Sequence, residues 1–249
     1  MMRTIYIMWL REVKRFLRSR SRIIGSLGQP LLFLLALGYG LGGVFAKAGQ
    51  GNYIEFLAPG VICMSLIFTA IFGGIQVIWD RQFGFLKETL VAPVPRVAIM
   101  IGRTLGGATV ATFQGCIVLF ITLFIGFHPS SWVFVIPAIL VMLLVSTLFA
   151  SLGMMIGSLL TDMQGFQLIM NFLVMPLFFL SGALFPLSGL PTFMVYITRI
   201  DPLTYGVDAM RALLISSSQY SIGVDVSVLF VITAIFVGLG SYFFSKIQV

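Results

Sequence analysis

The sequence predicts an all-α polytopic membrane protein of six transmembrane helices, and three observations support that. Hydrophobic residues make up 59% of the 249-residue chain and charged residues only 9%, against roughly 45–50% and about 25% in a soluble domain. No soluble core could hide so much apolar surface, so lipid is the solvent. Six apolar stretches, 23–46, 56–79, 103–127, 132–160, 166–187 and 226–245, approach or exceed the length of about 20 residues that a spanning helix needs. The Lys and Arg residues fall on alternate sides of those stretches.

The N-terminal segment, residues 1–22, precedes the first span. At 100° per residue Ile5, Tyr6, Trp9, Leu10, Val13, Phe16 and Leu17 gather on one side of a helix. Arg3, Arg11, Lys14, Arg15, Arg18 and Arg22 gather on the other. This is the pattern of an amphipathic interfacial helix whose basic face meets anionic headgroups. The segment is not a signal peptide, because its charged region is too long and no small-residue cleavage site follows a short apolar core.

Residues 23–249 then form one membrane domain. If the N-terminus is cytoplasmic, the inside segments hold twelve Lys and Arg residues and the outside segments three. That bias places both termini in the cytoplasm of a multi-pass cell-membrane protein. It also accounts for the formal net charge of +7 without a nucleic-acid partner. Cys63 and Cys116 lie inside apolar spans and read as buried thiols. The spans are nearly free of ionisable groups, so a proton relay has little to work with. The single histidine, His128, lies beside Pro129 in a loop, and the sequence has no cluster of metal ligands. An intramembrane enzyme is therefore excluded.

The segment 80–96 joins the second and third spans. Phe83, Leu86 and Leu90 fall at i, i+3 and i+7, one face of a short helix, with Arg81, Lys87 and Glu88 around it. Pro93 and Pro95 stop the helix. So short a helix needs a surface to pack on, either the protein's own or a groove on a partner. In the fifth span Ser181-Gly182 and Pro186 break the helix before its far end. Residues 182–225 then read as a re-entrant and interfacial outer region, with Phe185 at its start and an i, i+3 pair of Asp208 and Arg211. Gln76 and Asn171 are polar side chains within spans, and with Met175 they are candidates for lining a pathway. The glycine pairs Gly38/Gly42, Gly102/Gly106 and Gly153/Gly157 permit close helix contact.

Two stretches resemble a known family. One is Gly84, Leu86, Glu88-Thr89-Leu90, Ala92-Pro93-Val94-Pro95-Arg96 and Gly102-Arg103. The other is Ser181-Gly182, Phe185-Pro186, Leu190-Pro191, Pro202-Leu203-Thr204-Tyr205 and Arg211. Together with the span number, loop order and length they resemble the permeases of the second class of ABC exporters, the group of daunorubicin-resistance, nodulation-factor and O-antigen exporters. The resemblance implies that 80–96 is a coupling helix. In it Phe83, Leu86, Lys87, Glu88 and Leu90 would contact a separate ATP-binding-cassette ATPase subunit. It also implies that Ser181, Gly182, Phe185, Pro186, Asp208 and Arg211 belong to an outer gate. The chain contains no G-x-x-x-x-G-K-[ST] phosphate cradle. No cofactor is expected on it, and ATP and Mg2+ would bind the partner subunit. Six spans are half of the usual twelve and suggest a homodimer or a pair with a paralogue, with the symmetric homodimer the commoner closed assembly. A charge-poor path suits an amphipathic drug-like or lipid-like substrate. An ion-coupled secondary transporter and a non-transporting membrane scaffold are the alternatives.

Overall fold

The computed structural model describes residues 1–47, 52–91, 93–187 and 191–247; of Arg22, Ala46, Lys87 and Leu90 only the backbone is described. Among these residues the secondary structure is helical, with no strand. The helices are α1 (Met2–Arg18), α2 (Arg20–Lys47), α3 (Tyr53–Phe72), α4 (Ile75–Gln82), α5 (Phe85–Val91), α6 (Arg96–Phe124), α7 (Val135–Leu159), α8 (Met163–Leu180), α9 (Thr192–Ile200), α10 (Pro202–Ile215) and α11 (Ile222–Ser245). A single 3-10 turn, Trp132–Phe134, leads into α7.

Six segments are long and apolar enough to cross a membrane: Ile23–Phe45, Tyr53–Gln82, Arg96–Phe124, Trp132–Leu159, Met163–Leu180 and Ile222–Ser245. The count matches the sequence expectation, and the boundaries move for identifiable reasons. The second span runs on through α4, because the chain bends at Gly73-Gly74 without leaving the bundle. The third starts at Arg96, directly after Pro95 sets an extended backbone (ψ 129°). The fifth stops at Leu180, because Ser181 caps it and Gly182 turns into the left-handed region at φ +75°. The expected N-terminal helix also ends sooner, at Arg18, where Ser19 leaves helical geometry before α2 begins.

Side-chain caps fix three of the helix starts. Asn52 accepts from the backbone N–H of Ile54, Asp162 from that of Gly165, and Asp201 from that of Leu203. Each satisfies one of the N–H groups that a helix start leaves free. Pro30, Pro59 and Pro176 lie inside helices. Neighbouring helices allow this in a membrane bundle.

The centre of the bundle is α3, which packs against α2, α6, α7, α8 and α10. Leu57, Ile62, Met64, Leu66, Ile67 and Ile71 of α3 are fully buried there. The bend after α3 is a glycine joint. A Cβ on Gly74 would overlap the carbonyl oxygen of Gly153, and one on Gly153 or Gly157 would overlap the carbonyls of Ile71 and Gly74. The Gly153/Gly157 pair on α7 thus has its partner in the middle of the second span, where two backbones meet without side chains between them.

Helix α1 does not lie apart from the bundle. It packs along the start of α6, where Gly102 and Gly106 make room for Ile5, Met8, Trp9 and Glu12. The Trp9 indole donates to Thr109 Oγ1 at 2.9 Å. The end of the bundle holding α1, α4, α5, the start of α6 and the last turns of α7 and α11 is the basic end. The opposite end holds α9 and α10.

Candidate functional site

At the basic end the segment between the second and third spans divides differently from the sequence expectation. Phe83 closes α4 and Gly84 takes φ +79°, so a left-handed residue separates α4 from α5. Phe83, Leu86 and Leu90 therefore do not form one stripe on one helix. Leu86 turns inward and is fully buried, in a cluster with Val77, Ile99, Met100, Met154, Phe244 and Ile247. Phe83 is 67% exposed, Phe85 55% and Val91 83%, and Glu88 is exposed. Lys87 and Leu90 belong to α5, and their side chains lie outside the described residues. Among the described side chains of this segment, the exposed large apolar ones are Phe83, Phe85 and Val91, and they form its apolar knob. The periodicity argument missed Phe85 and Val91; the signal for the break was Gly84 in the middle of the supposed stripe.

Behind this segment lies a buried charged joint. Asp80 accepts from Arg103 Nη2 at 2.5 Å and from Arg11 Nη2 at 2.9 Å. Arg103 is 3% exposed and Asp80 6%. Arg15 donates to Gln76 Oε1 and lies 3.8 Å from Glu12. The joint ties α1, α4 and α6 together. Two arginines of the expected headgroup-facing stripe, Arg11 and Arg15, instead turn into the protein, while Arg3, Lys14 and Arg18 stay exposed. Gln76, a candidate pathway residue, is one of the joint's acceptors and buried.

The opposite end is built around Arg211. Its Nη2 donates to the carbonyls of Gly182 (2.7 Å), Ala183 (3.3 Å) and Phe56 (3.4 Å), and its guanidinium lies 3.8 Å from the Phe56 ring centroid. The expected Asp208–Arg211 pair does not form. Asp208 instead accepts from the backbone N–H groups of Gln219 and Tyr220, at 2.8–3.0 Å. Gln219 and Tyr220 lie in the turn between α10 and α11, where no helix ladder takes their N–H groups, and the Asp208 carboxylate accepts from both, while the Arg211 guanidinium donates to carbonyls instead. Ser181 is 2% exposed; it donates to the Phe178 carbonyl at 2.8 Å and accepts from the Ala183 N–H at 3.3 Å. Gly182 is buried beside Leu187, Phe185 is 40% exposed, and Pro186 is half-buried. Residues 188–190, including Leu190, lie outside the described residues.

The α9–α10 pair enters the bundle and leaves it again. Gly206, early in α10, meets Val145 of α7, ten residues from the start of that helix, which corresponds to a depth of about 15 Å. Leu214, late in α10, accepts from Ser130 N–H at 2.8 Å, beside the loop before α7. The chain therefore runs inward along α9, turns at Asp201-Pro202, and runs outward along α10.

A profile of the family described as ABC-2 type transporter matches residues 3–215. The chain belongs to the ABC-2 type transporter family. Relatives include Nodulation protein J of Rhizobium meliloti (strain 1021), 29% identical over 211 residues that cover 84% of this chain and 80% of that protein. The Inner membrane transport permease YadH of Escherichia coli (strain K12) is 29% identical over 206 residues, covering 82% and 79%. An ABC-2 chain is the membrane subunit of an ABC transporter, and the family implies partnership with an ABC ATPase subunit.

In this ABC-2 chain the remaining pathway candidates separate. Asn171 is exposed and Met175 half-exposed on α8, whereas Gln76 is buried on α4. With Gln164 and Gln167, also exposed, Asn171 continues one polar stripe along α8 at helical spacing. Helix α8 packs on α3, with Phe166 against Phe72, and also meets α2, where the Phe33 and Phe178 rings lie edge to face. A groove between α2 and α3 is lined by Ser26, Gln29, Phe68, Thr69 and Phe72.

Proposed function

We propose that the chain is the permease half of an ATP-driven exporter, a homodimer moving an amphipathic drug-like or lipid-like molecule out of the cytoplasm. The observation behind this reading is the knob of Phe83, Phe85 and Val91. Three large apolar side chains sit exposed on a segment held between two membrane helices at the most basic end of the bundle. That end is cytoplasmic by its lysines and arginines. Apolar side chains exposed there want a groove on a soluble partner. The partner is the ATP-binding-cassette subunit, which holds ATP and Mg2+, and 80–96 is the coupling segment. The printed name of the Escherichia coli relative, an inner membrane transport permease, favours an inner-membrane location.

The path runs along α3, flanked by α2 and α8. The polar stripe on α8 supports this, because amide side chains facing hydrocarbon are costly and face water or a second copy instead. The α9–α10 hairpin with its Arg211 anchor closes the outer end.

The test is purification of the tagged chain from its native membrane in mild detergent, followed by identification of what accompanies it and assay of ATP turnover. A co-purifying soluble ATPase that is lost in Phe83→Ser/Phe85→Ser is the expected result. An ATP-inert preparation without such a partner overturns the reading.

A further inference from the structure

The coupling segment is bracketed by two arginines whose partners lie on neither α5 nor the path helices. Arg81, just before α5, donates from Nη2 to the Ser158 carbonyl and from Nη1 to the Leu160 carbonyl, both at 3.2 Å. Its neighbour Gln82 donates to the Thr161 carbonyl, also at 3.2 Å. These carbonyls are the end of α7. Arg96, just after α5, donates from Nη1 to the Ser245 and Ile247 carbonyls at 2.8 and 2.9 Å, and these are the end of α11. The last turn of a helix leaves carbonyls without intrahelical partners at the negative end of its dipole, and a guanidinium satisfies both needs. Between the two clamps Leu86, the buried side chain of α5, sits against Met154 of α7 and Phe244 and Ile247 beside the end of α11. The two arginines reach that helix pair directly, and the Leu86 cluster joins it to Val77 of α4 and to Ile99 and Met100 of α6.

Helices α7 and α11 pack against each other more extensively than any other two, and both pack against α10 at the opposite end. Gly206 of α10 fits against Val145 of α7 only because it has no side chain. A closely packed helix pair therefore reaches from the coupling segment to the outer hairpin.

Resting on the permease reading above, we propose that Arg81 and Arg96 are positioning residues that clamp the coupling segment to α7 and α11, and that this pair conveys its displacement across the membrane to α10. Helices α2 and α8 then move because α7, α10 and α11 shift beside them, not because the ATPase pushes them directly. In this arrangement the outer gate answers to the nucleotide state through two caps on helix ends.

The experiment places one spin label at Ser218→Cys, past the end of α10, and one at Glu55→Cys, at the outer start of α3; both residues are exposed. The chain has Cys63 and Cys116 replaced by alanine and is diluted with unlabelled chain. The complex is reconstituted with its ATPase, and the distance is measured without nucleotide and with ATP trapped. The parent complex should change distance on trapping. In complexes that retain the ATPase, Arg81→Gln/Arg96→Gln should lose more than half of the distance change. Arg81→Lys/Arg96→Lys, which keeps a cationic donor at each cap, should recover most of it. A merely structural role would lower yield and turnover together and leave the distance change in the surviving complexes intact. If the double Gln chain does not reach the membrane, each single Gln variant should show an intermediate loss. A full distance change in the Gln variants, or none in the parent complex, overturns the clamp. Failure of the parent chain to retain any ATPase overturns the functional reading instead.

Discussion

Removing the Asp80 carboxylate tests the charged joint most directly. Asp80 is shared by a guanidinium whose side chain is 2% exposed, Arg103, and one that is 34% exposed, Arg11. Arg11 can rehydrate when the carboxylate goes, so its share is a surface-type pair of about 0–1 kcal/mol. Arg103 cannot, and its Nε and Nη1 already have no partner. Breaking a buried pair by removing one member costs about 3–5 kcal/mol, because the other charge is left uncompensated. For a chain of this size that is a fall in unfolding midpoint of roughly 6–20 °C. Asp80→Ala should show this fall when the purified chain is heated in detergent and followed by the loss of its monodisperse peak. Asp80→Leu combined with Arg103→Met removes both buried charges and should recover much of the loss, since apolar replacement of an entire buried pair is often close to neutral. A midpoint for Asp80→Ala within about 2 °C of the parent would mean that Arg103 is solvated, and the reasoning would fail. A double variant as unstable as the sum of the two single changes would refute it equally.

Leu86→Ala should destabilise the chain by about 2–5 kcal/mol in the same assay, while Phe83→Ala and Phe85→Ala should leave stability within about 0.5 kcal/mol and weaken ATPase retention on an affinity column. Gly74→Ala should lower the midpoint measurably, because its Cβ would meet the Gly153 carbonyl, backbone against backbone, with no flexible side chain to give way. Arg211→Met should loosen the turn after α8 and speed cleavage there by an added protease several-fold, since three carbonyls lose their donor. Asp201→Ala should cost about 1 kcal/mol by removing the α10 cap, and Asp201→Asn much less.

The spans were legible because hydropathy and length report directly on the bilayer, and only packing details moved their ends. The glycine pair at 153 and 157 was legible as a contact, though not with its partner, because Gly73-Gly74 reads as an ordinary interruption within a span. The segment 80–96 was legible as a short helical connection between two spans, and its apolar face was misread. Helical periodicity assumes one continuous helix, and Gly84 ends that assumption by taking φ +79°. Charge was the least legible feature. Lys and Arg counted between spans predict topology, yet the same count cannot say that Arg11 and Arg103 converge on Asp80, 69 and 23 residues away. The Asp208/Arg211 spacing suggested a pair for the opposite reason. Neighbours at i, i+3 can meet, but backbone groups left free by nearby turns compete for each of them and win here.

The distribution of polar contacts explains how such a chain can be both stable and movable. At the basic end α1, α4 and α6 meet in a buried charged joint, and α7 and α11 are capped by Arg81 and Arg96. At the other end Arg211 ties α10 to the start of α3 and to the turn after α8. Between these ends the bundle is held by apolar packing and close glycine contacts, which constrain sliding less than directional bonds do. The central helix α3 is enclosed on most sides, whereas most of the described residues of α2 and α8 are exposed or half-exposed. Packing of this kind resists separation of α3, α7 and α11 far more than displacement of α2 or α8. A displacement of α7 and α11 would therefore carry α10 with it, and the less enclosed helices α2 and α8, the latter bearing the polar stripe of Gln164, Gln167 and Asn171, are those left to yield.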